Sequence, residues 1–75
     1  MTQQAVRIGS RVRVRDADGD AEFSVVPHAE ADSMAHRVSA ESPLGRALLG
    51  HRSGDEIRYR APGGVLTVTI VGVWL

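Results

Sequence analysis

Only one stretch of this sequence predicts a helix, and its shortness constrains the fold of the remaining chain. In the run Glu41–Gly50, Ser42 directly precedes the predicted helix, and its hydroxyl can accept a hydrogen bond from an amide of the first turn. Pro43 suits the first helical position because its φ is already fixed, and Gly50 supplies a left-handed stop. The apolar residues share one face: Leu44, Ala47 and Leu48. A helix of about two turns is unstable alone in water, so the sequence requires an apolar surface beneath it.

The first part of that surface is a predicted hairpin. The segment 11–15 alternates arginine and valine, and the segment 22–26 alternates again after the turn signal Asp18-Gly19. With Asp18 and Gly19 as the two loop residues, the predicted pairs are Val14 with Phe23, Val12 with Val25, and Arg15 with Glu22. This register gives one apolar and one charged face.

A second hairpin is predicted near the end of the chain. The segments 56–60 and 65–73 flank the turn residues 61–64. A turn centred on Gly63-Gly64 pairs apolar residues on one face and arginines with threonines on the other. The predicted pairs are Tyr59 with Val68, Ile57 with Ile70, Arg58 with Thr69, and Arg60 with Thr67.

The remaining segments complete a two-layer α+β fold. Pro27 ends the second strand, residues 28–34 form a loop with room for one helical turn, and residues 37–40 form a short strand that leads into the helix. We therefore predict a bent antiparallel sheet of about five strands with one short helix packed on it. Residues 1–5 are expected to be a flexible lead-in, and residues 6–75 a single domain.

Composition excludes several classes of function. The nine basic and nine acidic residues balance, so the chain has no net positive charge that would attract nucleic acid or an anionic membrane. The absence of cysteine excludes disulfides and thiolate zinc sites. No apolar run reaches membrane-spanning length and the amino terminus is polar, so we expect a cytoplasmic protein that does not enter a membrane.

Metal-site and catalytic motifs are weak. The acidic segment 16–22 lacks the glycine and the final acid of a calcium loop, which favours a charged hairpin tip. The spacing of the three histidines along the chain does not match that of metal-ligating histidines. No serine has the flanking glycines of a nucleophile elbow. We therefore expect no metal, no cofactor and no enzymatic activity.

Two surface features leave alternatives open. The arginine faces could contact RNA, but the three aromatic residues are not interleaved with them, so a solvated sheet face is favoured and no direct nucleic-acid binding is expected. Trp74 and Leu75 either fold back on the core or pack on a partner.

Several segments, taken in the order in which they occur along the chain, resemble the sequence of one known family. They are Asp16-x-Asp18-Gly19 with Glu22, Glu30-Ala31-Asp32, Val38–Gly50, Gly54-Asp55-Glu56 and Ala61–Gly64. Over about residues 6–73 the chain resembles the C-terminal domain of the bacterial GreA/GreB transcript-cleavage factors. This resemblance implies an FKBP-like fold, which agrees with the prediction above.

The resemblance also implies a partner. In that family the domain docks on the tip of the β′ coiled coil of RNA polymerase, at the rim of the secondary channel. Carried over by position, the docking residues are Ser39, Glu41 and Pro43, with Ser42 and Leu44 as neighbours. The family cleaves RNA with an N-terminal coiled coil, which these 75 residues do not contain.

The sequence therefore predicts a non-catalytic RNA polymerase-binding module that modulates transcription elongation. Two rival hypotheses remain: a peptidyl-prolyl isomerase-like enzyme of the same fold, which needs an aromatic-lined apolar pocket, and a small RNA-binding sheet domain.

Overall fold

The computed structural model describes residues 4–75. Part of the predicted lead-in, residues 1–3, lies outside the described residues. The elements are β1 (Arg11–Asp16), β2 (Gly19–Val26), two 3₁₀ turns (His28–Glu30 and Ser33–Ala35), β3 (Arg37–Ser39), α1 (Pro43–Leu48), β4 (Glu56–Ala61) and β5 (Gly64–Trp74). This confirms the α+β class with five strands and one short helix.

The five strands form one sheet in the order β3-β2-β1-β5-β4. Neighbouring strands are antiparallel except for β3, which runs parallel to β2. The prediction of an antiparallel sheet is therefore wrong for β3. The reason is the connection: residues 27–36 carry the chain back along β2 through the two 3₁₀ turns instead of reversing it in a tight hairpin.

Both predicted hairpins form, but each register differs from the prediction by two residues. In the first, Val12 pairs with Phe23, Val14 with Ala21 and Arg15 with Asp20, so the turn residues are 17 and 18. Gly19 follows the turn and has a φ of 124°. The glycine therefore does not occupy one of the two turn positions; it follows them and supplies the positive φ with which the turn ends.

The second hairpin repeats this arrangement. Tyr59 pairs with Leu66 and Ile57 with Val68, so the turn residues are Pro62 and Gly63. Gly64, with a φ of 130°, again follows the turn. A slip of two residues keeps every side chain on its predicted face, which is why the apolar pattern alone does not reveal the error.

The core lies between the inner face of the sheet and α1. Val12, Val25, Leu48 and Ile70 are fully buried. The other buried apolar residues are Val6, Val14, Ala40, Ile57 and Val68. The helix packs against β4 and β3, and Gly50 ends it with a φ of 83° as predicted. No helix within residues 4–75 is long and apolar enough to cross a membrane.

Candidate functional site

The corner between β3 and α1 is held together by the hydroxyl of Ser39. This side chain is buried, with 6% of its surface exposed. Its oxygen accepts a hydrogen bond from the backbone N–H of Glu41 at 3.0 Å, and Nδ1 of His28 lies 3.1 Å away. Ser39 therefore sets the path of the chain beneath the surface instead of contacting solvent.

Ser42 fixes the start of the helix in two directions. Its hydroxyl oxygen accepts a hydrogen bond from the N–H of Gly45 at 3.0 Å, the predicted N-cap. The same hydroxyl donates to the backbone carbonyl of Ser39 at 2.7 Å, and the backbone N–H of Ser42 donates to that carbonyl at 3.0 Å. The helix start and the strand end are thus one connected unit.

Gly45 allows the start of the helix to lie directly against the end of β3. A Cβ at this position would meet the backbone of the preceding strand: the carbonyl oxygen of Ser39, its carbon at 2.9 Å and the Cα of Ala40 at 3.0 Å. Ordinary carbon contacts lie at about 3.5–4.0 Å, so only glycine permits this approach. Sequence analysis did not single out Gly45, although a glycine inside a predicted helix was the available signal.

An open apolar groove of about 600 Å³ lies beside this corner. One wall comes from the helix start and β3, and the other from the β4–β5 hairpin. The lining residues are Val38, Ser42, Pro43, Leu44, Tyr59, Arg60, Ala61 and Pro62. Nearly all of its surface is apolar, and among residues 4–75 Arg60 is the one charged residue that lines it.

The five residues predicted to form the site divide into three groups. Ser42, Pro43 and Leu44 line the groove. The side chain of Glu41 is exposed at the same corner without lining the groove. Ser39 lies beneath the surface. The hairpin wall was not predicted, because its contribution depends on a contact between segments far apart in the sequence.

The groove bears on the isomerase hypothesis. An isomerase pocket needs aromatic walls around a proline ring, and within residues 4–75 Tyr59 is the one aromatic residue that lines this groove. Phe23 lies instead against His36, with ring centroids 6.0 Å apart. Trp74 lines a different cleft. No specific feature of the groove favours isomerisation.

The histidines lie apart from one another. His28 is close to Ser39, Nδ1 of His36 lies 3.2 Å from the backbone carbonyl of Glu22, and Nδ1 of His51 lies 3.3 Å from Asp55. Among residues 4–75, no three potential metal-ligating side chains come together.

Comparison with known proteins identifies the domain. The family model described as "Transcription elongation factor, GreA/GreB, C-term" matches residues 1–75. Transcription elongation factor GreA of Clostridium acetobutylicum is 41% identical over 75 residues, an alignment covering 97% of this chain and 48% of that protein. The chain thus spans about half the length of the curated relatives that it matches.

Solved structures agree in fold. The GreA/GreB elongation factor of Nitrosomonas europaea superposes with a TM-score of 0.80 at 35% identity, covering all of this chain and 64% of that one. Gfh1 of Thermus aquaticus gives a TM-score of 0.88 at 32% identity, covering 99% of this chain and 50% of that one. The chain therefore belongs to the GreA/GreB family of transcription elongation factors and corresponds to the C-terminal domain of that family.

Proposed function

We propose that this chain is a non-catalytic module that binds RNA polymerase on the tip of the β′ coiled coil, at the rim of the secondary channel, and thereby modulates transcription elongation. The observation that carries the proposal is the apolar groove of about 600 Å³ next to the exposed side chains of Glu41 and Pro43. A cytoplasmic location follows from such a partner.

The groove has the properties of a docking surface for a helical tip. Binding energy at protein interfaces concentrates where an apolar side chain enters a desolvated pocket that is surrounded by polar groups. Here Leu44, Tyr59 and Pro62 form part of the apolar lining, and the exposed Glu41 directly precedes the lining residue Ser42 in the chain. The complementary partner presents an apolar side chain for the groove and a basic group for Glu41.

The hydrogen bonds of the corner support binding by preorganisation. The bonds among Ser39, Glu41 and Ser42 fix the backbone that carries the exposed carboxylate and proline. A surface already held in one conformation loses less entropy when it binds. In this proposal Ser39 is a positioning residue, and Glu41, Pro43 and Leu44 touch the partner.

The proposed regulatory effect requires no chemical step by this chain. A module that occupies the coiled-coil tip excludes other proteins that use the same tip, in proportion to its concentration and affinity. Relatives of this chain are named as transcription elongation factors, which is consistent with polymerase as the partner.

The proposal is tested by titrating labelled chain with RNA polymerase core enzyme and, separately, with an isolated β′ coiled-coil hairpin. Glu41→Arg reverses the exposed charge, and Glu56→Arg, at an exposed position in β4, is its matched control. Pro43→Gly loosens the helix start, and Pro27→Gly, at an exposed proline after β2, is the control. Thermal melts establish that all four variants fold.

We expect Glu41→Arg and Pro43→Gly to weaken binding by at least about tenfold, which corresponds to about 1.4 kcal/mol, while both controls bind like wild type. Wild-type binding by the two site variants would refute the assigned surface. Failure of the unmodified chain to bind either form of the polymerase target would refute the proposed function itself.

A further inference from the structure

The outer face of the sheet, opposite α1, is uncovered and rich in arginine. Side chains that point outward from the strands include six arginines and three carboxylates, whereas the whole chain has nine basic and nine acidic residues. The arginines are Arg11, Arg13, Arg15, Arg37, Arg58 and Arg60. The charge of a neutral chain is therefore distributed unequally between its two faces.

Two of these arginines neutralise two of the carboxylates. Arg13 pairs with Glu22, and Nε–H of Arg15 donates to the carboxylate of Asp20 at 2.7 Å. Within residues 4–75, no carboxylate lies within ion-pair distance of the other four arginines. The third carboxylate, that of Glu56, is exposed on β4.

Trp74 adds an aromatic surface to this face. It pairs with Arg11 across β1 and β5 and remains 46% exposed. Its six-membered ring occupies the space over Gly72, because a Cβ there would lie 2.5, 2.9 and 3.1 Å from three ring atoms. The indole thus rests on the sheet while much of its surface faces solvent.

Two adjoining clefts surround these groups. One, of about 490 Å³, is lined by residues that include Arg11 and Trp74. The other, of about 320 Å³, is lined by residues that include Met34 and His36. They share Arg11, Glu22 and Ser24. Met34, at 93% exposure, and Trp74 therefore contribute to a continuous concave surface above β1 and β2.

We propose that this outer face is a binding site for single-stranded nucleic acid, with one base stacked on Trp74 and phosphates bound by Arg11 and the arginines beyond it. Arg15 lies opposite Thr69, Arg58 opposite Thr67 and Arg60 opposite Val65. The arginines therefore extend about 30 Å along β5 from Trp74, at about 3.3 Å per residue.

This arrangement fits a single strand better than the alternatives. Single-strand sites combine a row of cationic groups that follows the backbone with an aromatic side chain on which a base stacks. The phosphates of a flexible strand are spaced along its length, as these arginines are spaced along the sheet. Sequence analysis kept an RNA-binding sheet only as a rival hypothesis and expected no direct nucleic-acid binding, because Arg11 and Trp74 are 63 positions apart and meet only through the pairing of β1 with β5.

The part of the site around Arg11 and Trp74 is separate from the proposed polymerase-docking groove, and Arg60, at the far end of the row of arginines, also lines that groove. The groove is built from α1, β3 and the hairpin tip, whereas the clefts on the outer face share none of its lining residues. Substitution of Glu41 should therefore leave nucleic-acid binding unchanged.

The experiment uses Trp74, the only tryptophan of the chain, as its probe. The intact 75-residue chain is titrated at low salt with oligo(U) RNA or oligo(dT) DNA of about ten nucleotides. We expect saturable quenching of Trp74 fluorescence. The logarithm of the affinity should fall with the logarithm of salt concentration with a slope of about −2 to −3, for four unpaired arginines at about −0.7 each.

Variants are compared by the anisotropy of a labelled oligonucleotide, which does not depend on Trp74. Trp74→Ala should weaken binding at least about fivefold, as expected for the loss of a stacked base. Gly72→Ala should also weaken it, because the new methyl group displaces the indole. Arg11→Ala should weaken binding and reduce the salt slope. Arg46→Ala is the matched control, because Arg46 is an exposed arginine on α1, away from the outer face, and this variant should bind like wild type.

Each outcome decides the proposal. Losses confined to the outer-face variants support it, and the ratio of RNA to DNA affinity then identifies the preferred strand. Equal losses in Arg11→Ala and Arg46→Ala would indicate attraction by charge alone and would overturn the site. The absence of saturable quenching at low salt, or wild-type binding by Trp74→Ala, would also overturn it.

Discussion

Substitution of Gly45 by alanine separates two physical effects that act in opposite directions. In an isolated helix, alanine is more stable than glycine by about 1 kcal/mol. In this protein the added methyl group would lie 2.9 Å from the carbonyl carbon of Ser39 and 3.0 Å from the Cα of Ala40, and closer still to the Ser39 oxygen. These neighbours are backbone atoms, which cannot rotate away, so the helix itself must move.

The movement has a cost that can be bounded. Overpacking of a closed site costs about 1–3 kcal/mol, and the upper part of this range applies where the neighbours are backbone. A shifted helix also stretches the bonds from the N–H and hydroxyl of Ser42 to the carbonyl of Ser39, now 3.0 and 2.7 Å. After the gain in helix propensity is subtracted, we expect Gly45→Ala to destabilise the protein by about 2 kcal/mol.

The measurement is thermal and urea-induced unfolding, followed by circular dichroism. A loss of about 2 kcal/mol in a domain of this size lowers Tm by about 8–16 °C. Gly63→Ala is the matched control, since among residues 4–75 no atom beyond Gly63 and its two chain neighbours lies within 4 Å of the added Cβ, and φ is not positive. We expect it to change stability by less than about 0.5 kcal/mol. A Gly45→Ala variant as stable as wild type, or more stable, would refute the close approach.

Two further predictions concern the turn between β4 and β5 and the loop that contains Asp55. Gly64→Ala should cost about 1–2 kcal/mol, because an L-residue is strained at a φ of 130° although space is available; equal stability of Gly64→Ala and Gly63→Ala in urea melts would contradict this. The hydrogen bond donated by the Arg52 backbone N–H, with a smaller contribution from His51, holds the pKa of Asp55 below its ordinary value. A carboxyl whose pKa is lowered by folding stabilises the native state above its unfolded pKa, and this contribution disappears as the pH falls through the folded pKa. Asp55→Asn should therefore reduce the loss of stability on acidification below about pH 4, and an unchanged pH profile would contradict the assignment.

The sequence by itself determined the local elements of this protein. The cap at Ser42, the proline at position 43 and the glycine at position 50 bounded the helix correctly, because each acts on backbone groups within one turn. The alternation of valine and arginine in β1 also identified which side chains face the core, since that depends only on the period of the strand.

Only the tertiary structure decided how the elements meet. The apolar pattern could not distinguish the true registers from those shifted by two residues, because both bury the same faces. The pairing of β3 with β2, the burial of Ser39 and the groove between α1 and the β4–β5 hairpin depend on contacts between distant segments. The meeting of Arg11 and Trp74 has the same origin: local periodicity assigns residues to faces, and long-range packing determines which residues become neighbours.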